Sequence, residues 1–419
     1  MDIKKIFNNR LLLIFLAALS LRIGYVLLAP QHPPDADAFD YDTIAFNLAS
    51  GHGFSLNPDV PTPRRPPGLP FMLAAVYSVF GHSHTAGRLL LALLGALTVI
   101  FSFRTAEKLF GERAAALAGW TLALYPIFIV HPAFLLTETP YTFLLAGAML
   151  FWVYGVSRKN YLDFALAGLF LGLATLTRPV TLVFPGVLLL FSVILNRGLL
   201  LKWLLFLAVF LAVLAPWSAR NYRLWGTLKP CSVGTGFGFY LTGNMAAGLS
   251  WDESFGKYVE KFKEYPEPTA FTPGDHPALR LEQALQAEGN ALLKAHPWEA
   301  VKIAIKRLPP FWITSHSSVL GVDKSLHEYY LERDFFPIAV RFALLGFHAL
   351  MLLLAAAGMA LTRKSWRETA PLIALLAFFT GHVAFDFVPR YHLPVIPYVF
   401  IFAAAGLLGL KERYSKKKA

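Results

Sequence analysis

The sequence predicts an all-α polytopic membrane protein. Of its 419 residues, 56% are hydrophobic and only 15% are charged, a balance typical of integral membrane proteins. The apolar residues are gathered into long runs separated by short polar segments, and basic residues cluster at the ends of these runs. Such runs must be helical, because open strands leave backbone groups unpaired in lipid.

Roughly eleven runs are long and apolar enough to be candidate membrane helices, which predicts a bundle of about 10–12 transmembrane helices. The first run begins like a signal peptide, but its length favours a retained anchor. The second run is short and rich in proline, so we expect the second and third together to cross the membrane once. In chain order the runs are 11–29, 67–81, 89–103, 114–130, 141–156, 162–177, 182–195, 200–216, 338–361, 371–385 and 393–410.

The distribution of polar residues predicts three parts. Residues 1–217 form an amino-terminal transmembrane module whose first outer loop covers about residues 31–66. Residues 218–336 are more polar and form a small extracytoplasmic insert, in which residues 277–296 have the spacing of an amphipathic helix. Residues 337–419 supply further transmembrane helices and a basic cytoplasmic tail.

The net charge of +12 does not indicate nucleic-acid binding. Basic residues such as Lys4 and Lys5 flank apolar runs, as the positive-inside rule predicts for cytoplasmic segments. The single cysteine, Cys231, excludes an intrachain disulfide and a multi-cysteine metal site. No motif with metal-ligand spacing occurs, and His82-x-His84 is typical of a loop, so no metal ligand is assigned. A divalent metal cofactor nevertheless stays open.

Acidic residues follow the first apolar run at one membrane surface. Asp35, Asp37, Asp40 and Tyr41 open an amphipathic stretch, and Asp37 and Tyr41 share a face if that stretch is helical. A carboxylate here can act as a general base towards a hydroxyl or amine. The alternative is that these aspartates cap a helix N-terminus and stabilise its dipole.

Further charges lie on the same outer side in the preferred topology. Arg64 and Arg65 precede Pro66-Pro67-Gly68 and are either phosphate ligands or a solvated turn. Glu138 opens an apolar helix as a dipole partner or a site residue. Arg178 faces a lipid phosphate or snorkels to the surface.

Another charged segment, Arg390-Tyr391-His392, lies between the last two runs. Like Arg178, this segment either faces a lipid phosphate or has a structural role. The structural role would be an ion pair between Arg390 and Asp386.

In order and spacing, these motifs resemble glycosyltransferase family 39, whose members have the GT-C fold and include protein O-mannosyltransferases and the lipid A aminoarabinose transferase. The resemblance covers about residues 21–248. It is carried by Asp37 to Phe54, Arg65-Pro-Pro-Gly68, Thr137-Glu138, Thr177-Arg178-Pro179 and the segment Pro216 to Gly226, which includes Arg220 and Asn221.

The resemblance implies a polyprenyl-phosphate sugar donor, an extracytoplasmic acceptor (lipid, glycan or protein) and inversion at the anomeric carbon. It implies that Asp37 is the catalytic base, that Glu138 is a catalytic candidate at the position of a second acidic residue in relatives, and that Arg65 lies near the lipid phosphate. We add Asp40 to the catalytic candidates and Arg64 and Arg178 to the phosphate ligands. The candidate substrate contacts are Asp35, Tyr41, Arg220, Asn221, Arg390, Tyr391 and His392.

The function predicted is therefore that of a membrane glycosyltransferase of a bacterial inner or plasma membrane, surrounded by membrane lipids and acting on the periplasmic or extracellular face. Two other functions stay open. A lipid-linked glycan transporter or flippase would use intramembrane charges to pass a head group. A glycan ligase or polymerase would transfer whole chains from the same class of carrier.

Overall fold

A computed structural model describes residues 9–30, 33–195, 197–229, 234–362, 365–384 and 389–418. Lys4, Lys5, Cys231 and Asp386 lie outside the described residues. Within the described ranges the chain is helical apart from turns, short 3₁₀ segments and two isolated β-bridges. The all-α fold class predicted from the sequence is confirmed.

The described ranges contain eighteen α-helices. In order they are α1 (Asn9–Leu28), α2 (Ala36–Ala49), α3 (Gly68–Phe80), α4 (His84–Phe110), α5 (Glu112–Leu124), α6 (Pro126–Val130), α7 (Glu138–Arg158), α8 (Tyr161–Thr177), α9 (Phe184–Leu195), α10 (Leu200–Trp225), α11 (Thr235–Ala246), α12 (Trp251–Lys263), α13 (Pro277–Ala295), α14 (Pro297–Trp312), α15 (Leu326–Leu331), α16 (Phe335–Leu361), α17 (Trp366–His382) and α18 (Ile396–Lys418).

Six described segments are long and apolar enough to cross a membrane: α1, α4, α7, α10, α16 and Arg390–Lys416, which contains most of α18. A seventh candidate is the bent pair formed by α5 and the segment Pro126–Ala133, which meet at 62°. Three shorter apolar segments account for part of the difference from the predicted 10–12. One is α3, whose 13 residues reach only about 20 Å, whereas the 27 residues of α4 reach about 40 Å.

The membrane helices share one hydrophobic core, to which α4, α5, α7, α8 and α18 all contribute buried side chains. Helix α18 lies deep in this core and packs against α16. The two helices approach closely because a Cβ at Gly358 or Gly406 would lie 2.0 Å from a backbone oxygen of the other helix. Small residues permit such contact where lipid supplies no hydrophobic driving force.

The insert is built around a helix pair of its own. Helices α11 and α13 enclose a small core of Tyr240, Leu241, Leu281 and Leu285. The predicted amphipathic helix is confirmed as α13. A Cβ at Gly289 would lie 2.5 Å from the backbone of α11, so glycine is required at this crossing.

A second close approach positions the first loop. A Cβ at Gly68 would lie 2.3 Å from Thr177 Oγ1 and 2.8 Å from Thr177 Cα. The start of α3 therefore packs directly on the end of α8. Because Arg65 precedes Gly68 by three residues and Arg178 follows Thr177, this contact brings two of the predicted motifs together.

Candidate active site

Two aspartates of α2 hold one arginine of the first loop. Arg65 Nη2 lies 2.8 Å from Asp37 Oδ1 and 2.9 Å from Asp40 Oδ2, and Arg65 Nε donates to Asp40 Oδ2 at 2.9 Å. The guanidinium also lies over the Tyr41 ring, 5.4 Å from its centroid. Burial alone lowers the pKa of Arg65. The neighbouring Tyr41, Asp37 and Asp40 raise it by more than burial lowers it, so the net pKa lies above the ordinary arginine value. Arg65 therefore stays charged.

A distant segment completes the surroundings of Asp37. Arg390 Nη2 donates to Asp37 Oδ2 at 3.1 Å, while Arg390 Nε lies 3.0 Å from Glu138 Oε1. The same glutamate oxygen lies 2.9 Å from Arg178 Nη1, and the Arg178 guanidinium packs over the Tyr391 ring at 4.4 Å. Asp37 and Glu138 are thus linked through one shared arginine.

The insert contributes Glu267, which pairs with Arg64 of the first loop. Arg64 Nε lies 3.6 Å from Asp40 Oδ2, and Arg64 Nη1 donates to Glu267 Oε2 at 3.4 Å. Burial alone raises the pKa of Glu267, but the neighbouring His276 and Thr62 side chains and the charge of Arg64 lower it more, so the net pKa is lowered. The glutamate therefore stays ionised and ties the first loop to the insert.

These contacts form a continuous row in which acids and arginines alternate and the formal charges cancel. We call it the charge chain; in spatial order it consists of Glu267, Arg64, Asp40, Arg65, Asp37, Arg390, Glu138 and Arg178. Besides α2, five separate parts of the fold supply it: the first loop, the start of α7, the residue after α8, and the segments around residues 267 and 390.

Exposure separates the acids of the charge chain. The side chain of Asp37 is 40% exposed, whereas those of Asp40 and Glu138 are 14% and 3% exposed. A substrate can therefore reach Asp37 most readily. Glu138 has two arginines within 3.0 Å and is enclosed, which suits a residue that holds those arginines in place.

Helix capping does not account for the aspartates of α2. Asp35 occupies the N-cap position, yet its side chain makes no capping hydrogen bond. Asp37 and Asp40 are instead paired with arginines. Asp37 and Asp40 therefore belong to a tertiary ion-pair arrangement, and Asp37 also lies in the first turn of α2, where a negative charge stabilises the helix dipole.

Several predicted substrate contacts lie apart from the charge chain. Arg220 packs over Trp217 and donates to the backbone oxygen of Phe54, and Asn221 donates to the Lys229 oxygen. His392 is buried, with its Nε2 2.9 Å from His316 Nε2. These side chains support the loops around the site, whereas Tyr41 and Tyr391 each pack against an arginine of the charge chain.

The comparisons with known proteins agree with this architecture. Residues 64–219 match the family model described as dolichyl-phosphate-mannose-protein mannosyltransferase. An oligosaccharyltransferase from Archaeoglobus fulgidus, AglB, solved with an inhibitory peptide and a dolichol-phosphate, aligns over 98% of this chain with a TM-score of 0.53 and 14% identity. The chain has the GT-C fold. The GT-C fold that the sequence resemblance implied is thereby confirmed.

Two other matches to this GT-C chain are more limited. ArnT from Cupriavidus metallidurans, solved with undecaprenyl phosphate, aligns over 92% of this chain and 76% of that chain, with 19% identity and a TM-score of 0.43. An uncharacterised Aquifex aeolicus protein is 30% identical over 124 residues, which cover 29% of this chain and 25% of the relative. The chain also spans only 51% of the AglB structure.

Proposed function

We propose that the chain is a glycosyltransferase that moves a sugar from a polyprenyl-phosphate donor to an extracytoplasmic lipid, glycan or protein. The observation that carries this proposal is the accessible Asp37 carboxylate between the guanidinium groups of Arg65 and Arg390. A base beside two cations suits a displacement in which a hydroxyl or amine loses a proton and a phosphate accumulates charge. The mannosyltransferase match and the dolichol-phosphate bound by AglB support a lipid-phosphate donor.

In this mechanism Asp37 accepts the proton of the acceptor's hydroxyl or amine group. The acceptor atom bonds to the anomeric carbon as the bond from that carbon to the phosphate oxygen breaks. Polyprenyl phosphate leaves with the bonding electrons, and the sugar is inverted because the displacement occurs once. The reaction takes place on the periplasmic or extracellular face of a bacterial inner or plasma membrane.

The arginines of the charge chain receive the leaving phosphate. Arg65 and Arg390 flank Asp37, so a phosphate placed beside the base lies within reach of both forked donors. Arg178 lies one step further, across Glu138. Asp40 and Glu138 then serve as positioning residues that orient arginines, which leaves the proton transfer to Asp37.

A divalent metal does not fit among these carboxylates. Asp37, Asp40 and Glu138 each have arginine partners within 3.1 Å, and a cation placed between them would face those guanidinium groups at short range. The mechanism therefore contains no step through a metal at the charge chain.

The decisive experiment compares polyprenyl lipids and envelope glycans by mass spectrometry in wild-type, deletion and Asp37→Asn cells. We expect the deletion and Asp37→Asn to accumulate one polyprenyl-phosphate sugar and to lose the same decoration, because removing a general base costs about 10²–10⁴-fold in rate. Asp59→Asn is the matched control. Asp59 is in the same loop, its side chain is 75% exposed, and its φ of 64° is tolerated by asparagine.

The same data distinguish the other functions. Normal decoration in Asp37→Asn cells, together with a defect in the deletion, would contradict base catalysis and favour a lipid-linked glycan transporter. Transfer of whole chains in place of single sugars would indicate a glycan ligase or polymerase. The mass of the product separates these outcomes.

A further inference from the structure

A second cluster lies on α2 beyond the charge chain. Asp42 of α2 faces His82, in the turn before α4, and His84, the first residue of α4. His82 Nε2 lies 3.0 Å and His84 Nε2 3.2 Å from Asp42 Oδ2. The ligand-type atoms of all three side chains fall within 4.8 Å of one another. No local sequence motif indicates this cluster, because Asp42 lies forty residues or more from the two histidines.

The spacing of these atoms matches the coordination shell of a zinc ion. Zinc binds imidazole nitrogen and carboxylate oxygen at about 2.0–2.2 Å, so neighbouring ligands of a tetrahedral site lie roughly 3.3–3.5 Å apart. The observed 3.0 and 3.2 Å separations need only a small expansion to admit the ion. Two imidazoles and one carboxylate are also a ligand set common in zinc sites with one open position.

The surrounding residues hold the ligands in place. Tyr77 Oη donates to Asp42 Oδ1 at 2.6 Å, and Oδ2 is the oxygen that faces both histidines, although His82 Nε2 also lies 3.1 Å from Oδ1. The His82 ring is stacked on Phe46, with 4.6 Å between ring centroids, and lies edge-on to Tyr77. Such outer contacts orient metal ligands and set their affinity.

The cluster of Asp42, His82 and His84 has a buried side and an exposed side. The Asp42 side chain is 9% exposed, whereas His82 and His84 are about one-third exposed. The fourth coordination position therefore lies towards the exposed histidines, where water can occupy it and an ion can enter. The simpler alternative is a histidine–aspartate hydrogen-bond cluster without a metal.

We propose that Asp42, His82 and His84 bind one first-row divalent cation, for which Zn²⁺ is the best match. The ion joins α2 to the start of α4. Asp42 follows Asp37 by five residues, about 140° around the helix, so the ion would fix α2 from the side away from the proposed base. That positioning role rests on the proposed function, whereas metal binding itself does not.

The test measures metal content, which is independent of transferase activity. Protein purified without a histidine tag is loaded with ZnCl₂, desalted and analysed by mass spectrometry for zinc. We expect about one zinc per chain in the wild type and in Asp37→Asn, and a loss of nearly all of it in the double variant His82→Ala/His84→Ala. The proposal would be overturned if the double variant held as much zinc as the wild type, or if the loaded wild type held none.

A second variant guards against misfolding of the first. Tyr77→Phe keeps all three ligands and removes only the hydrogen bond to Asp42. Loss of such an outer contact weakens metal binding about 10–100-fold, which a competition titration of Zn²⁺ against a chelator measures. An unchanged dissociation constant would contradict the ligand arrangement. Because Asp37→Asn is expected to lose transferase activity and to keep its zinc, the zinc measurement tests metal binding independently of the proposed function.

Discussion

The contact between Gly68 and Thr177 allows a quantitative prediction about how the site is assembled. In Gly68→Ala the new Cβ would lie 2.8 Å from Thr177 Cα, whereas carbon atoms pack best at about 3.5–4.0 Å. The start of α3 must therefore move away from the end of α8 by roughly 0.7–1.2 Å. Overpacking of this kind costs about 1–3 kcal/mol.

The same displacement separates two arginines of the charge chain. Arg65 lies three residues before Gly68, and Arg178 directly follows Thr177. A misplacement of about 1 Å can cost roughly 10²-fold in rate. If the proposed function is correct, we expect Gly68→Ala to combine a lowered melting temperature with a loss of glycan product much larger than its loss of folded protein.

The assay is thermal unfolding in detergent, paired with glycan analysis in the deletion strain carrying each variant. Gly186→Ala is the control, because a Cβ at Gly186 meets nothing within 4 Å and alanine favours a helix. We expect the control to melt at or above the wild-type temperature with normal product. A Gly68→Ala protein with wild-type melting and product would refute the argument that this close approach assembles the site.

Two further predictions concern the acids at either end of the charge chain. Glu138→Gln leaves Arg390 paired with Asp37 but takes from Arg178 its acid in the charge chain. Because breaking a buried pair costs about 3–5 kcal/mol, we expect a loss of stability in that range. Thermal unfolding measures it beside Glu299→Gln, which breaks only an exposed pair. Glu267 has a lowered pKa, so its stabilisation is present above the ordinary glutamate pKa of about 4.3 and is lost as the pH falls through the lower folded-state pKa. The stability difference between wild type and Glu267→Gln should therefore be largest near neutral pH and vanish in acid; a difference constant down to pH 3 would contradict this assignment.

The charged residues of the site could be predicted from the sequence because they lie next to apolar runs. Asp37, Arg65, Glu138 and Arg178 each adjoin an apolar run, and the ends of runs on one side of a membrane lie close together. Their mutual proximity in the structure agrees with that topology. The sequence did not predict that Arg390 would join Asp37 to Glu138, because the contact spans more than 350 residues.

Other parts of the site have no local signal. Glu267 lies in a polar stretch rich in proline and glutamate, where nothing distinguishes it from its neighbours. Gly236 is the middle glycine of the segment Gly234-Thr-Gly236-Phe-Gly238. The structure explains it by packing, since a Cβ there would lie 2.7 Å from the Glu282 backbone oxygen. Such requirements depend on which helix lies opposite, and one sequence does not specify that.

The neutrality of the charge chain has a consequence for the order of events in the proposed reaction. Asp37 is paired with two arginines, so a donor phosphate must compete with this carboxylate for guanidinium groups. A phosphate that draws Arg65 or Arg390 towards itself loosens their hold on Asp37, and the carboxylate becomes freer to accept a proton. The acids at the far positions, Asp40 and Glu138, keep the arginines from leaving altogether. The alternating arrangement thus restrains the base until the donor is bound, which a row of unpaired arginines beside an isolated aspartate would not do.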